Sequence, residues 1–352
     1  MVQEFSTALK PTQNNIFPLA FLSLLLGVFI LSFAAIFTRL AENELSPSAT
    51  VFNRYYIATV VLFVWQAVQS RINNPSKPNQ VIELRDWGVF LLSSMLGAAA
   101  SFLWALSLTQ TSVASSNLLH NVTPIFAVLG GWLFLGQSFD YKFLLGMMLA
   151  IVGIAIITSG DFQSEVNSLY GDSLALLSAV FYALNYLARE KLRSKFSAST
   201  ILLFTCPLSG CFTFLIALTS KTQLFPNSWE TWLAVICLAV LCQIIGQGLL
   251  THNLKQFSSG FVTLLMLLEP LLTALFAFLI FAEKLSILNC FAFIIVLIGI
   301  YSSCRLNAIQ LRAQTLRPYR IGDETLYLIT AGSAVYSKIK HWLRKGRRKN
   351  QS

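Results

Sequence analysis

Four apolar stretches of this chain carry polar side chains at helical spacing. Asn117, His120, Asn121 and Pro124 recur at i, i+3, i+4 and i+7. Tyr182, Asn185, Tyr186 and Arg189 repeat that pattern, and Gln243 and Gln247 stand one turn apart beside Gly246 and Gly248. Ser101 and Trp104 follow a small-residue stripe of Ser94, Gly97 and Ala98. Such spacing places each set on one helix face. Amides, hydroxyls and indole on apolar helices offer directed donors and acceptors to a polar solute, and His120 can also carry a proton. Glu269 is the only acid deep within an apolar run, and Pro270 follows it. A carboxyl there suits solute contact or coupling, while the proline leaves a backbone carbonyl available and permits a hinge. A structural reading competes at every single position, because amides in membrane helices often tie helices together at about 0.6 kcal/mol each. Convergence over four helices is harder to assign to packing alone, since a solute pocket needs a few directed polar groups on apolar walls.

These faces need long apolar helices to carry them, and the composition supplies those. The 352 residues are 55% apolar and 11% charged, against about 45–50% and 25% in soluble domains. Apolar runs of spanning length occupy 17–38, 48–69, 87–108, 112–135, 142–159, 172–190, 199–219, 230–251, 259–281 and 287–304, each close to the roughly 17–25 residues a transmembrane helix needs. The first run is longer than a signal-peptide core and has a weakly basic leader, so it is expected to be retained. The expectation is an all-α integral membrane protein of ten transmembrane helices.

Enzymatic readings find little support. There is no Walker A, HExxH, GxSxG or GxGxxG sequence, and no pair of deep carboxylates. Cys206, Cys211, Cys237, Cys242, Cys290 and Cys304 lie within or at the end of apolar runs without CxxC spacing, which reads as buried thiols and neither disulfides nor a zinc site. No cofactor, metal or catalytic residue is expected. A channel or an intramembrane enzyme are the alternatives to a carrier.

Charge sets orientation. Placing the N-terminus inside gives inner connectors with ten Lys/Arg, namely Lys10, Arg71, Lys77, Arg85, Lys142, Arg189, Lys191, Arg193, Lys195 and Lys255, against three outside, Arg39, Lys221 and Lys284. Under the positive-inside rule both termini are cytoplasmic, in the plasma (inner) membrane. Residues 305–352 hold 11 of the 25 Lys/Arg and two of the 15 Asp/Glu, so the basic balance belongs to a tail and does not argue for nucleic-acid binding. From Leu328 onward, Leu328, Ala331, Val335, Ile339 and Trp342 oppose Lys340, Arg344, Arg347 and Arg348. The pattern suits either an amphipathic helix on anionic lipid or a solvated basic tail.

The chain also repeats. At an offset of 146 residues Gln110 falls on Gln256, Ser112 on Ser258, Pro124 on Pro270, Gln137 on Glu283 and Gly153 on Gly299. The organisation expected is a cytoplasmic N-terminus (1–16), one repeat over 17–159, a second over 172–304, and the basic cytoplasmic tail (305–352). Five helices per repeat is an odd number, so the second copy must lie inverted in the membrane.

Particular residues in these repeats resemble a known family. Ser46-Pro47 and Asn53-Arg54 near the second helix, Trp104-Ala105-Leu106 through Ser112, Ala114 and Pro124, and above all Leu268-Glu269-Pro270, Phe281-Ala282-Glu283-Lys284-Leu285 and Gly299 are similar to the EamA repeat of the drug/metabolite transporter superfamily. The first repeat departs from the pattern by carrying Gln137 where the family commonly has Glu. The resemblance implies a ten-helix carrier of small metabolites, often an exporter, with a pocket formed by helices one, three, four, six, eight and nine. On this reading the partners are a small-molecule solute and membrane lipid, and a homodimer remains open. The candidate solute contacts are Trp104, Asn117, His120, Asn121, Tyr182, Asn185, Tyr186, Gln243 and Gln247, with Glu269 as the coupling candidate.

Overall fold

The computed structural model describes residues 16–72, 82–111, 113–159, 169–219, 223–272, 275, 291 and 293–303. The expected basic tail helix and cysteines 290 and 304 lie outside the described residues. Among the described residues ten apolar helices run in chain order. Seven are long enough to cross a membrane: α1 (Pro18–Glu42), α2 (Pro47–Arg71), α3 (Leu84–Gln110), α4 (Ser115–Leu135), α6 (Leu169–Arg193), α7 (Ala198–Thr219) and α8 (Trp229–Asn253). Three are shorter within the described residues: α5 (Tyr141–Ile156), α9 (Ser259–Leu272) and α10 (Phe293–Ser303). The described residues form no strand.

Surface chemistry agrees with a hydrocarbon surrounding. Phe63, Trp65, Trp132, Phe134, Leu215 and Leu297 all point outward and are exposed, whereas a soluble protein rarely displays apolar surface of this extent. Inside, Leu24, Tyr186, Phe261 and Leu264 are fully buried in one core that draws on both halves of the chain. The α3 helix packs along α6, α4 against α6, α1 against α8, and α2 against α7. Where α5 meets α10 the backbones almost touch, since a Cβ on Gly299 would stand 2.5 Å from the Gly146 carbonyl. Small residues permit this close crossing where lipid supplies no hydrophobic drive.

Several helices are interrupted at depth, and the sequence explains most of the breaks. Helix α4 breaks at Asn121–Val122 and α9 at Met266–Leu267, just before Pro124 and Pro270. A proline cannot donate to the carbonyl four residues back and crowds it. The freed carbonyls are those of His120 and Met266. The first accepts the Thr123 hydroxyl at 2.6 Å, and the second accepts the Glu269 amide at 2.8 Å. Pro124 opens a new helical segment after the break and lines the same cavity as His120 and Asn121. Helix α1 breaks at Ser32–Phe33, where the Ser32 hydroxyl donates to the Phe29 carbonyl at 2.6 Å, a back-bond that bends helices. Helix α8 widens into a π-helix over Leu238–Gly246.

Candidate functional site

The two proline breaks meet beside α6, and α4 and α9 also pack directly on each other. Between them lies a cavity of about 20 Å³, room for roughly one water molecule. Its walls are His120, Asn121, Thr123 and Pro124 from α4, Tyr182 and Tyr186 from α6, and Thr263, Met266, Leu267 and Glu269 from α9. The site is therefore shut in this conformation, and any larger solute requires the walls to part.

The imidazole of His120 is held from two sides. Its Nδ1 lies 3.2 Å from the Ser178 Oγ, and the Ser178 hydroxyl donates to the Ala100 carbonyl at 2.9 Å. With the single hydroxyl proton so committed, Nδ1 must be the donor, which leaves Nε2 as an acceptor in the neutral ring. The Tyr182 ring stands edge-on to the imidazole at 4.9 Å, and Trp104 lies on another side at 5.8 Å. The Trp104 Nε1 is buried without a hydrogen-bond partner among the described residues. Tyr182 shares a hydrogen bond with Ser101 at 3.2 Å, and Ser101 another with Tyr55 at 3.2 Å. This hydroxyl chain joins α6 to α2 through α3.

On the other side of Tyr186, α8 presents its two glutamines to buried arginines. The Arg54 Nε donates to Gln243 Oε1 at 2.9 Å. Gln247 Oε1 accepts from the Tyr186 hydroxyl at 3.1 Å and from the Arg189 NH1 group at 2.8 Å. Arg54 is also within electrostatic reach of Glu269 and of Tyr182 and Tyr186.

The sequence candidates thus separate by location. His120, Asn121, Tyr182, Tyr186 and Glu269 share one cavity wall, with Trp104 packed behind His120. Gln243 and Gln247 lie one layer out and hold arginines. Asn117 sits a turn from the cavity, and its carbonyl accepts from the Asn121 side chain at 2.7 Å. Asn185 lies apart from the cavity lining: its Oδ1 takes the Ser93 hydroxyl at 2.8 Å, and a Cβ on Gly97 would come within 3.1 Å of its Nδ2. It ties α6 to α3. Sequence reasoning missed Arg54, Ser178, Thr263 and Met266. For Arg54 a signal existed, since the connector and tail counts account for every Lys and Arg in the chain except this one.

The model of the EamA-like transporter family matches residues 18–159 and again residues 169–304. An uncharacterized transporter of Archaeoglobus fulgidus is 27% identical over 290 residues, covering 79% of this chain and 95% of the relative. One from Methanothermobacter thermautotrophicus is 24% identical over 293 residues, 80% of this chain and 84% of the relative. Solute carrier family 35 member F2 of Mus musculus is 23% identical over 273 residues, 74% of this chain and 70% of the relative. A solved crystal structure shares the fold at a TM-score of 0.68 with 16% identity, covering 82% of this chain and 98% of the other.

Proposed function

The chain belongs to the EamA-like transporter family, and from that premise we propose that it is a secondary carrier that moves a small polar or amphipathic solute by alternating access, in the direction of export. The observation that carries the reading is the cavity between the broken helices α4 and α9, one from each repeat, lined by directed polar groups on apolar walls. Discontinuous helices at the interface of inverted repeats are the arrangement on which a midplane site opens to one side and then the other. In this reading the protein resides in the plasma (inner) membrane with both termini cytoplasmic, the orientation the Lys/Arg distribution favours. The basic tail rests on anionic lipid, and a second copy of the chain is a candidate partner. Cysteines introduced at exposed Asn43 and Ser194 should react from opposite sides of sealed vesicles. Labelling of both from one side refutes this topology.

The functional test is a solute panel in proteoliposomes with and without an imposed proton gradient. Saturable flux is the expected result. Conductance in planar bilayers without saturable flux would establish the channel reading instead. Glu269→Gln keeps shape and hydrogen-bonding capacity but cannot titrate. The expected outcome is a folded variant with flux reduced about tenfold, the size of exchanging a charge-assisted hydrogen bond for a neutral one, and with its pH dependence flattened. A variant that keeps both the rate and the pH profile of the wild type makes Glu269 a packing residue.

A further inference from the structure

Arg54 and Arg189 are 6% and 4% exposed, buried seven residues after the start of α2 and four before the end of α6, in opposite repeats; for Arg189 this corrects its place among the inner connectors. A buried guanidinium is costly unless its charge is met and its donors are filled. Here they meet neutral oxygen: the Gln243 amide for Arg54, and the Gln247 amide with the Thr251 hydroxyl at 3.4 Å for Arg189. Neither has a carboxylate at ion-pair distance among the described residues. A guanidinium presents five N–H donors, and the Nε of Arg189 is buried with no hydrogen-bond partner among the described residues. Both cations act electrostatically on Tyr186, as does Glu269, and Tyr186 is part of the cavity wall. The Arg189 guanidinium lies over the Tyr186 ring at 5.9 Å, with Arg54 and Glu269 within electrostatic reach of the same residue at the edge of the site.

We infer that the solute this site accepts carries an oxyanion, a carboxylate or a phosphate ester, which the guanidiniums of Arg54 and Arg189 bind in place of the Gln243 and Gln247 amide oxygens. The exchange favours the anion, because a charge-assisted hydrogen bond is roughly twice as strong as one to a neutral acceptor, and a planar guanidinium matches both oxyanions in two-point contacts. In the closed site the glutamines keep the cations from being left bare. The Gln243 amide leaves from within the π-helix Leu238–Gly246 and the Gln247 amide from its C-terminal boundary, the kind of widened turn that recurs at functional sites. A cationic solute would meet repulsion from both arginines.

This inference rests on the carrier reading, and a binding measurement separates the two. Purified full-length protein is titrated with inorganic phosphate, benzoate and tetraethylammonium at constant ionic strength with chloride as reference, and the thermal unfolding midpoint is followed. A saturable rise with phosphate or benzoate is expected, and none with tetraethylammonium. Phosphate acting alone identifies the phosphate-ester class, and benzoate acting alone the carboxylate class. Arg54→Gln and Arg189→Gln should each weaken binding about tenfold or more. Arg54→Lys and Arg189→Lys, which keep the charge but lose the two-point fork, should also weaken it. Shifts no larger than chloride's, or wild-type affinity in the lysine variants, overturn the inference. Saturable flux confined to neutral or cationic solutes sinks it while leaving the carrier intact. Anion binding without flux of any solute supports it while refuting the carrier.

Discussion

The connector between α1 and α2 and the connector between α6 and α7 occupy equivalent places in the two repeats, and they make the same contact with opposite charges. Glu44 lies two residues beyond the end of α1, and Lys195 two residues beyond the end of α6. Each reaches across to the other repeat, to the residue just before an equivalent helix: Ser228 ahead of α8 and Glu83 ahead of α3. The Ser228 hydroxyl donates to Glu44 Oε2 at 2.7 Å, the Gln223 side chain donates to Oε1 at 3.2 Å, and the Asn227 amide donates as well. Lys195 donates to Asp86 at 2.5 Å and to Glu83 at 3.1 Å. In both cases the carboxylates sit at a helix N-terminus, where exposed amides and the helix dipole favour negative charge. The fold has thus fixed where the repeats touch on each membrane face, while the chemistry of the touch differs. One face is tied by a carboxylate on neutral donors, the other by a salt bridge.

If these contacts hold the two faces shut, each should open separately. The largest effect is expected from Lys195→Glu, which sets a third acid against Glu83 and Asp86. With a reporter Thr263→Cys in the cavity wall and the native cysteines replaced, impermeant thiol labelling from the Lys195 face should rise about three- to tenfold, and labelling from the Glu44 face should not rise. The added substitutions Glu83→Lys and Asp86→Lys should restore closure. Equal increases from both faces would show that the variant loosens the fold and opens no gate.

Most of the architecture was legible in the sequence because it is written in quantities that add along the chain. Ten apolar runs predict ten helices, and the coincidence of Pro124 with Pro270 anticipates that equivalent helices of the two repeats break at matching depth. What escaped the sequence depends on partners far away in the chain. Lys195 counts only as one more inner-side cation until Glu83 and Asp86 are seen beside it. Asn185 shares a helical face with Tyr182 and Tyr186, yet the close approach of α3 at Gly97 draws it to Ser93. Arg54 belongs to the pair Asn53-Arg54 that resembles a family motif, yet it is also a cation within an apolar run, and only Gln243 beside it shows what it holds. Spacing gives the face of a helix, but the neighbour decides what that face does.

A smaller effect is expected from Glu44→Gln, which keeps an acceptor for Ser228 while losing the charge. Neutral hydrogen bonds are roughly half as strong as charge-assisted ones, so labelling of Thr263→Cys from the Glu44 face should rise only about two- to threefold. Salt should sharpen the contrast. Raising ionic strength screens the partly exposed Lys195 pair and should increase labelling from that face, whereas the Glu44 contact to a hydroxyl and backbone should respond less. A Glu44 face that opens more steeply with salt would mean that its closure rests on an ion pair after all.

The smallest effect is expected from pH. The Ser228 hydroxyl first, and then the Asn227 amide, hold the Glu44 carboxyl down at about 2. The stabilisation it gives is complete above the ordinary carboxylate value of about 4.3 and is lost only as pH falls through its depressed value. Lys195 moves the other way, raised by its hydrogen bonds to Asp86 and then Glu83. Its contribution is complete below the ordinary lysine value of about 10.4 and is lost as pH rises beyond the raised one. Neither contact changes charge between about pH 5 and 9, so the ratio of Thr263→Cys labelling from the two faces should stay flat across that range. Taking the ratio cancels the ionisation of the thiol itself. A bend near pH 5 that disappears in Glu44→Gln would show the carboxyl titrating at its ordinary value, with the Ser228 contact open in the membrane. A bend that persists in Glu44→Gln would place the titrating group elsewhere, and Glu269 is the first to replace.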